Sequence, residues 1–154
     1  SKPIIKFHKI RLPKKHNYVV FSNYVDSASY RLTSRDYNIL EEFVINLAQK
    51  EDLKIIHVGT REEKQRDKKK YKFFYSDMRG ETEMLDIFSL AEQPNVKYCV
   101  SFDAFISHVF HINNKKSFIK FRGRFSKKRH KYITSYVLPP FRTVSKKIDL
   151  VEFI

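Results

Sequence analysis

The sequence predicts an α/β domain: a Rossmann-like parallel sheet of five to six strands with helices on both faces. Short runs rich in β-branched and aromatic residues alternate with amphipathic segments of helical length, which is the pattern of βαβ units. Capping signals stand where the helical segments begin. With 154 residues, of which 42% are hydrophobic, the chain is long enough to bury one core.

The predicted strands are short apolar runs that suit burial in a parallel sheet. They are Tyr18–Ser22, Lys54–Val58, Lys72–Tyr75, Lys97–Ser101 and Ser117–Phe121, with Ile4–Ile10 as a further candidate. Right-handed crossovers should join them, because parallel strands need long connections of one hand. We therefore expect five residues on neighbouring central strands: Val20, Ile56, Phe74, Cys99 and Ile119.

Two helices should lie between the first four strands. Thr33 and Asp36 form a capping box for the first, which runs to about Lys50. Thr82 is the expected cap of the second, and Pro94 lies just beyond its end because proline cannot continue a helix. The charged run of residues 61–70 between them should be an exposed helix or loop.

The stretch after the fourth strand should be a third helix. Asp103 is the expected cap, since its carboxylate can accept from the free N–H groups of the first turn. The predicted apolar face consists of Phe105, Ile106, Val109, Phe110 and Ile112. Residues 76–80 should form a loop, and a short helix should begin near Ser145.

Charge divides the chain into three parts. The net charge is +14, yet residues 26–103 are nearly balanced, whereas residues 104–148 contain no acidic residue. We expect a basic leader at 1–16, a Rossmann-like domain at 17–125 and a basic tail at 126–154 that packs on the domain. Such a positive field favours phosphates, whether of nucleotides, nucleic acid or an anionic membrane surface.

Several classes of protein are disfavoured. No Gly-x-Gly-x-x-Gly or P-loop motif occurs among the three glycines, so the usual dinucleotide and P-loop fingerprints are absent. The single cysteine, Cys99, cannot form an internal disulfide, which fits a reducing compartment. No apolar run reaches the roughly 20 residues of a membrane span, and no signal peptide is visible. We expect a cytoplasmic protein.

A motif follows the fourth strand. Asp103 and His108, five positions apart after a hydrophobic run, resemble the Asp-(Ser/Thr)-Gly-x-x-His signature of glycosyltransferase family 9. That family contains the lipopolysaccharide heptosyltransferases and has the two-domain GT-B fold. Its signature lies in the C-terminal domain, which binds the nucleotide sugar. The resemblance implies that this chain is such a donor-binding domain.

The resemblance covers roughly residues 17–124. Arg31 or Arg35 stands in the place of the family's basic residue in the first loop. The run from Gly59 to Glu63 resembles the turn and acids after the second strand, and Asp77–Thr82 matches the family's Asp-Leu-(Arg/Ser)-Gly-x-Thr loop. Two departures stand out: Ala104-Phe105 replaces the small pair of the signature, and Arg122-Gly123-Arg124 replaces the Gly-Pro after the fifth strand.

The resemblance assigns roles to these positions. Glu62 or Glu63 would hold the ribose, and Met78, Arg79 and Gly80 would flank the base. Asp103 and His108 would face the phosphates or the sugar, and the donor-binding set also includes Arg35 and Gly59. Arg122 and Arg124 can take the place of backbone contacts to phosphate, because a guanidinium binds phosphate through paired hydrogen bonds.

The resemblance also implies partners. The donor is a nucleotide sugar, and the acceptor is a glycan or a lipid-linked molecule of lipopolysaccharide biosynthesis. No cofactor or metal is implied. The family's catalytic base lies in an N-terminal domain, so the catalytic residues remain unknown in this chain. An anionic inner-membrane surface is a further candidate partner.

A second function is compatible with the same sequence. Cations and aromatic residues alternate in residues 115–132, including Phe121, Phe125 and Tyr132. Single-stranded nucleic acid is bound by this combination of positive charge and ring stacking. A basic nucleic-acid-binding α/β domain is therefore the alternative to the donor-binding domain.

Overall fold

The sheet is parallel throughout. A computed structural model of the chain describes residues 10–23, 32–66, 75–102, 104–120 and 150–154. The strands within these ranges are β1 Asn17–Ser22, β2 Leu53–His57, β3 Tyr75–Asp77, β4 Val96–Phe102, β5 Lys116–Lys120 and β6 Val151–Phe153. The helices are α1 Ser34–Glu51, α2 Arg61–Arg66, α3 Met84–Glu92 and α4 Phe105–Ile112. The strand order is β3-β2-β1-β4-β5-β6, which confirms the Rossmann-like fold.

The core lies on both sides of the sheet because successive strand side chains point to opposite faces. Val19 and Phe21 of β1 pack towards α1, which buries Leu40 and Val44. On the other face, α3 and α4 cover the sheet and bury a second set of side chains, among them Val20, Ile56, Cys99, Leu90, Val109 and Phe110. The predicted helices on both faces are confirmed.

The neighbouring central residues are also as predicted, within the described chain. Val20 pairs with Ile56 on one side and with Cys99 on the other, and Ile119 lies on β5 beside β4. Cys99 is fully buried, and its burial raises the pKa of the thiol to about 12. Phe74 lies outside the described residues, as does the strand candidate at residues 4–10 apart from its last residue, Ile10.

The start of α1 is fixed by the predicted capping box. The Thr33 backbone N–H donates to the Asp36 carboxylate at 2.8 Å, and the Asp36 backbone N–H donates to the Thr33 hydroxyl at 3.3 Å. The helix ends at Glu51, and its C-cap, Asp52, has a left-handed φ of 53°. Asp36 has a second role in an ion pair.

Its other carboxylate oxygen lies 3.6 Å from the Lys120 ammonium at the end of β5. Both side chains are buried, so this ion pair joins α1 to the β5 side of the sheet.

The predicted cap of α3 is wrong, and the residue at the cap position of α4 differs from the predicted one. The capping residue of α3 is Glu83, whose backbone N–H donates to Asp86 at 2.7 Å, while the Thr82 hydroxyl donates instead to the Met78 carbonyl. The residue at the cap of α4 is Ala104, because β4 continues through Phe102 and the first turn closes on the Ala104 carbonyl. Within the described residues, no side chain caps α4. Asp103 lies outside them.

Two element boundaries also differ from the prediction. Ser76 and Asp77 belong to β3 rather than to a loop, because they pair with Ile56 and His57 of β2. The predicted helix near Ser145 falls mostly outside the described residues, and the last residues form β6, which pairs with β5. The ends of the predicted leader and tail therefore contact the sheet domain: the Ile10 backbone N–H donates to Ser89 of α3, and residues 151–153 form an edge strand.

The predicted apolar face of α4 is too wide. Phe105 and Ile112 are 47% and 54% exposed, whereas Ile106, Val109 and Phe110 are buried. The reason is helical geometry: residues seven apart lie on nearly the same side, so Phe105 and Ile112 share a face that points away from the sheet. Phe105 instead contacts Phe88 of α3, with the ring centroids 6.1 Å apart.

Replacing Lys120 by methionine should destabilise the fold strongly. The substitution leaves the buried Asp36 carboxylate without the Lys120 charge, and breaking a buried pair typically costs about 3 kcal/mol or more. Urea unfolding of Lys120→Met measures the loss, with the exposed Lys50→Met as the control. Adding Asp36→Asn to Lys120→Met should recover part of the stability, because no uncompensated charge then remains. Equal stability of Lys120→Met and the control would contradict the assigned role of the pair.

Candidate functional site

The strand order creates a crevice at the carboxyl edge of the sheet. The chain leaves β1 towards β2 on one side and leaves β4 towards β5 on the other, so the two connections diverge between β1 and β4. Ligands of open parallel sheets bind at such a switch point, outside the carboxyl ends of the strands. The candidate site therefore lies at this edge, where α1 and α4 begin.

Most of the predicted site residues meet at the β2–β3 side of this edge. They are Gly59, Glu62, Glu63, Met78, Arg79 and Gly80. The Gly80 N–H donates to the Gly59 carbonyl at 2.9 Å, and the Met78 N–H donates to the His57 carbonyl at 2.9 Å. Gly80 has a φ of +78°, and a Cβ there would lie 3.1 Å from the Arg61 Cα. Only glycine can adopt this positive φ and also avoid the close contact with Arg61 without strain.

Glu63 is buried beneath this turn. It is 7% exposed, its backbone N–H donates to the Thr60 hydroxyl at 3.3 Å, and its carboxylate accepts hydrogen bonds from Thr60. The Oε2 atom has no hydrogen-bond partner among the described residues, and it occupies the space that a Cβ on Gly59 would need. The carboxylate thus fills the room left by the absent side chain. Burial, which outweighs the hydrogen bonds from Thr60, raises the pKa of Glu63.

Glu62 differs from its neighbour in exposure. It stands in the first turn of α2 with its side chain in solvent, whereas Glu63 points inward. Of the two acids to which the resemblance assigns the ribose, Glu62 is the one exposed to solvent. Glu63 acts first as a capping group for α2 and as a packing partner for Gly59.

Arg79 is buried and engaged with Asp77. Its Nε and Nη2 atoms donate to the two carboxylate oxygens at 3.0 Å each, and its backbone N–H donates at 3.1 Å. Partial burial raises the pKa of Asp77, but the hydrogen bonds and charge of Arg79 outweigh it and hold that pKa below its ordinary value. The pair fixes the loop after β3, and Met78 beside it packs against the core.

A contact between β1 and β2 was not predicted. His57, fully buried at the end of β2, donates from Nε2 to the Asn23 side-chain oxygen at 2.8 Å, and its ring packs on Phe21 at 4.8 Å. The contact holds the start of the loop after β1. The signal in the sequence was a histidine inside an apolar strand directly before Val58-Gly59.

The other predicted site residues stand elsewhere on the edge. Arg35 is exposed in the first turn of α1, and His108 is half-buried on α4, so the two lie on opposite faces of the sheet. Neither belongs to the β2–β3 cluster. Asp103, Arg122 and Arg124 lie outside the described residues, as does Arg31.

The helix starts at this edge differ in charge. An acidic side chain occupies the first turn of α1, α2 and α3, namely Asp36, Glu62 with Glu63, and Asp86. Among the four described helices, α4 has neither an acid in its first turn nor a side-chain cap. Its first N–H groups and its dipole therefore favour an anion most strongly, and it begins at the switch point.

The described residues contain neither a metal-binding cluster nor a helix that could cross a membrane. Within the described ranges, no three His, Cys, Asp or Glu side chains are grouped so that they could hold a metal ion. The described helices include none that is long and apolar enough to cross a membrane.

Comparison with known proteins supports the fold. No protein-family model and no curated protein matches the sequence. The structure is similar to that of the Escherichia coli ADP-heptose lipopolysaccharide heptosyltransferase II, with a TM-score of 0.52 and 15% sequence identity. The match covers 71% of this chain and 34% of that chain, so this chain spans about a third of that enzyme's length. The expected resemblance to a GT-B glycosyltransferase is thus confirmed at the level of the fold.

Replacing Glu63 by glutamine should change how stability depends on pH. The folded state raises the pKa of Glu63. The stability that the protonated Glu63 side chain contributes is therefore fully present below the pKa of the unfolded state and is lost as pH rises through the pKa of the folded state. Glutamine does not ionise. The free energy of unfolding of Glu63→Gln, relative to the unmodified chain, should therefore increase from acid to neutral pH.

Chemical unfolding at a series of pH values measures this difference. Glu42→Gln on the exposed side of α1 is the matched control, because it makes the same change away from Glu63. If the stability of Glu63→Gln changes with pH in parallel with that of the unmodified chain, the assignment of Glu63 as a buried carboxylate with a raised pKa is wrong.

Proposed function

We propose that this chain is the donor-binding half of a GT-B-type glycosyltransferase and binds a nucleotide sugar at the carboxyl edge of its sheet. The observation that carries the proposal is the start of α4 at the switch point between β1 and β4, where no described side chain caps the helix. The similarity of the fold to part of a heptosyltransferase supports the same interpretation.

The diphosphate would lie over the first turn of α4. Backbone N–H groups at a helix start can donate to phosphate oxygens, and the first turn of α4 contains no acidic side chain that would oppose the charge. Ala104 places only a methyl group at the cap position. Arg122 and Arg124 follow β5 in the sequence and would add positive charge, while Asp103 and His108 would face the phosphates or the sugar.

The nucleoside would extend towards β2 and β3. Glu62 is exposed there and can accept hydrogen bonds from ribose hydroxyls. Glu63 and Arg79 would support this subsite from below, because both are buried and hold the two turns that flank it. The exposed edge of the turn at Met78–Gly80 would lie against the base.

The chain would bind and orient the donor and neutralise the leaving nucleoside diphosphate. A helix dipole and fixed cations can stabilise that developing charge without a metal. The base that activates the acceptor would come from a second domain, as it does in the GT-B family. The acceptor would be a glycan or a lipid-linked molecule, as in lipopolysaccharide biosynthesis, and the reaction would take place in the cytoplasm.

Titration calorimetry tests donor binding. ADP-heptose, other sugar nucleotides and free ADP should be compared, and an isolated half-site should bind with a Kd of about 1 μM or weaker, roughly −8 kcal/mol. Glu62→Gln should weaken binding of the nucleotide sugar, whereas Glu42→Gln on the exposed side of α1 should not. Absence of any nucleotide binding together with tight oligonucleotide binding would favour the nucleic-acid-binding alternative, whose residues lie mostly outside the described chain.

Asp103 and His108 provide a second test. If they face the donor, Asp103→Asn should preserve the fold and weaken nucleotide-sugar binding, and His108→Ala should weaken it too. Thermal unfolding checks that equal fractions are folded before affinities are compared. Unchanged affinity in both variants would remove these residues from the site and leave Arg122 and Arg124 as the candidates.

A further inference from the structure

Exposed hydrophobic side chains gather at the carboxyl edge of the sheet. Of the four large ones among the described residues, three stand in the first turns of α1, α3 and α4: Tyr37, Leu85 and Phe105. The fourth, Ile112, lies at the other end of α4. Helical side chains lean towards the amino end of their helix, so the first three lean towards the opening of the candidate site. We call these three residues the apolar rim.

The two aromatic members of the apolar rim are braced by other rings. The Tyr37 ring meets the buried Phe102 ring with centroids 5.4 Å apart and planes at 84°, and the Phe105 ring meets Phe88 at 6.1 Å and 67°. Such edge-to-face contacts are favourable for aromatic pairs. Because α1 and α4 cover opposite faces of the sheet, the two rings stand on opposite sides of the switch point between β1 and β4.

Phe105 is a feature of this chain rather than of the motif that it resembles. The family 9 signature has glycine at the position of Phe105. Glycine adds no side chain to a surface, whereas Phe105 places a large ring, 47% exposed, at the first residue of α4. One exposed ring by itself needs no explanation, but three apolar side chains from separate helices around one opening indicate a contact surface.

The size of the apolar rim suits a small molecule better than a protein. Each member exposes less than half of its surface. At about 200 Å² for a large side chain, the three together offer at most roughly 300 Å². A stable protein interface buries about 800 Å² on each partner. Apolar side chains around a crevice with a few polar groups are typical of a small-molecule site.

We propose that the rings of the apolar rim, and Phe105 above all, bind the pyranose sugar of the donor. This inference rests on the proposed function. With the nucleoside towards β2 and β3 and the diphosphate over the first turn of α4, the sugar on the outer phosphate lies beside the rim. The C–H bonds on one face of a pyranose carry partial positive charge and the face of an aromatic ring is negative, so the two attract each other.

Titration calorimetry of the full chain with paired probes tests the proposal. ADP is compared with ADP-glucose, and UDP with UDP-glucose, because the difference within each pair is the contribution of the sugar. Phe105→Ala should bind the sugar nucleotide about 5-fold more weakly, since the ring contact is lost, and should bind the free nucleoside diphosphate as the unmodified chain does. Phe105→Tyr keeps the ring and should retain most of the affinity for the sugar nucleotide.

Ile112→Ala is the matched control for Phe105→Ala. Ile112 lies on the same exposed side of α4 but seven positions further along, about 10 Å from Phe105 at about 1.5 Å per residue. The control therefore removes exposed apolar surface from the same helix away from the candidate site, and it should leave every affinity unchanged. Thermal unfolding of both variants checks that equal fractions are folded before affinities are compared.

Two results would overturn the proposal and leave the donor site intact. One is an equal loss of affinity for ADP and ADP-glucose in Phe105→Ala, which would assign the ring to the nucleotide instead of the sugar. The other is unchanged affinity for both probes. If the unmodified chain binds none of the four probes, the proposed function fails, and this inference fails with it.

Discussion

Parallel pairing of β1 with β4 is the constraint on which the rest of the structure depends. Parallel strands cannot be joined by tight turns, so each connection must return across a face of the sheet, and every strand then ends at the same edge. The two faces of β1 need cover, and α1 supplies it on one side while α3 and α4 supply it on the other. The crevice at the switch point follows directly from this arrangement.

The motif residues near that crevice divide into two kinds. Arg79 and Glu63 are buried, and their first role is to hold the turns after β2 and β3 in place. Glu62 stands next to them in solvent, where it can meet a ligand. The motif at Asp77–Thr82 thus indicates a loop conformation as much as a contact with a ligand, because the ion pair between Asp77 and Arg79 fixes the shape of the loop.

Charge is distributed between the two edges according to the same topology. At the carboxyl edge, helix starts attract acids, because a negative side chain stabilises the positive end of a helix dipole. The amino edge collects residues that precede strands, and there the lysines remain mostly exposed. Among the described residues, α4 departs from this acidic pattern, and the proposed donor site depends on that departure.

The sequence by itself determined the alternation of strands and helices, the Thr33–Asp36 capping box and the central residues Val20, Ile56 and Cys99, because hydrophobic periodicity and caps are local signals. Tertiary structure decided where α4 begins, since that depends on β4 continuing through Phe102 beside β5. It also decided the Lys120–Asp36 and His57–Asn23 contacts. Lys120 and Asp36 are 84 positions apart in the chain, and His57 and Asn23 are 34 positions apart. Each pair meets only after the sheet has formed, so no local pattern could reveal these contacts.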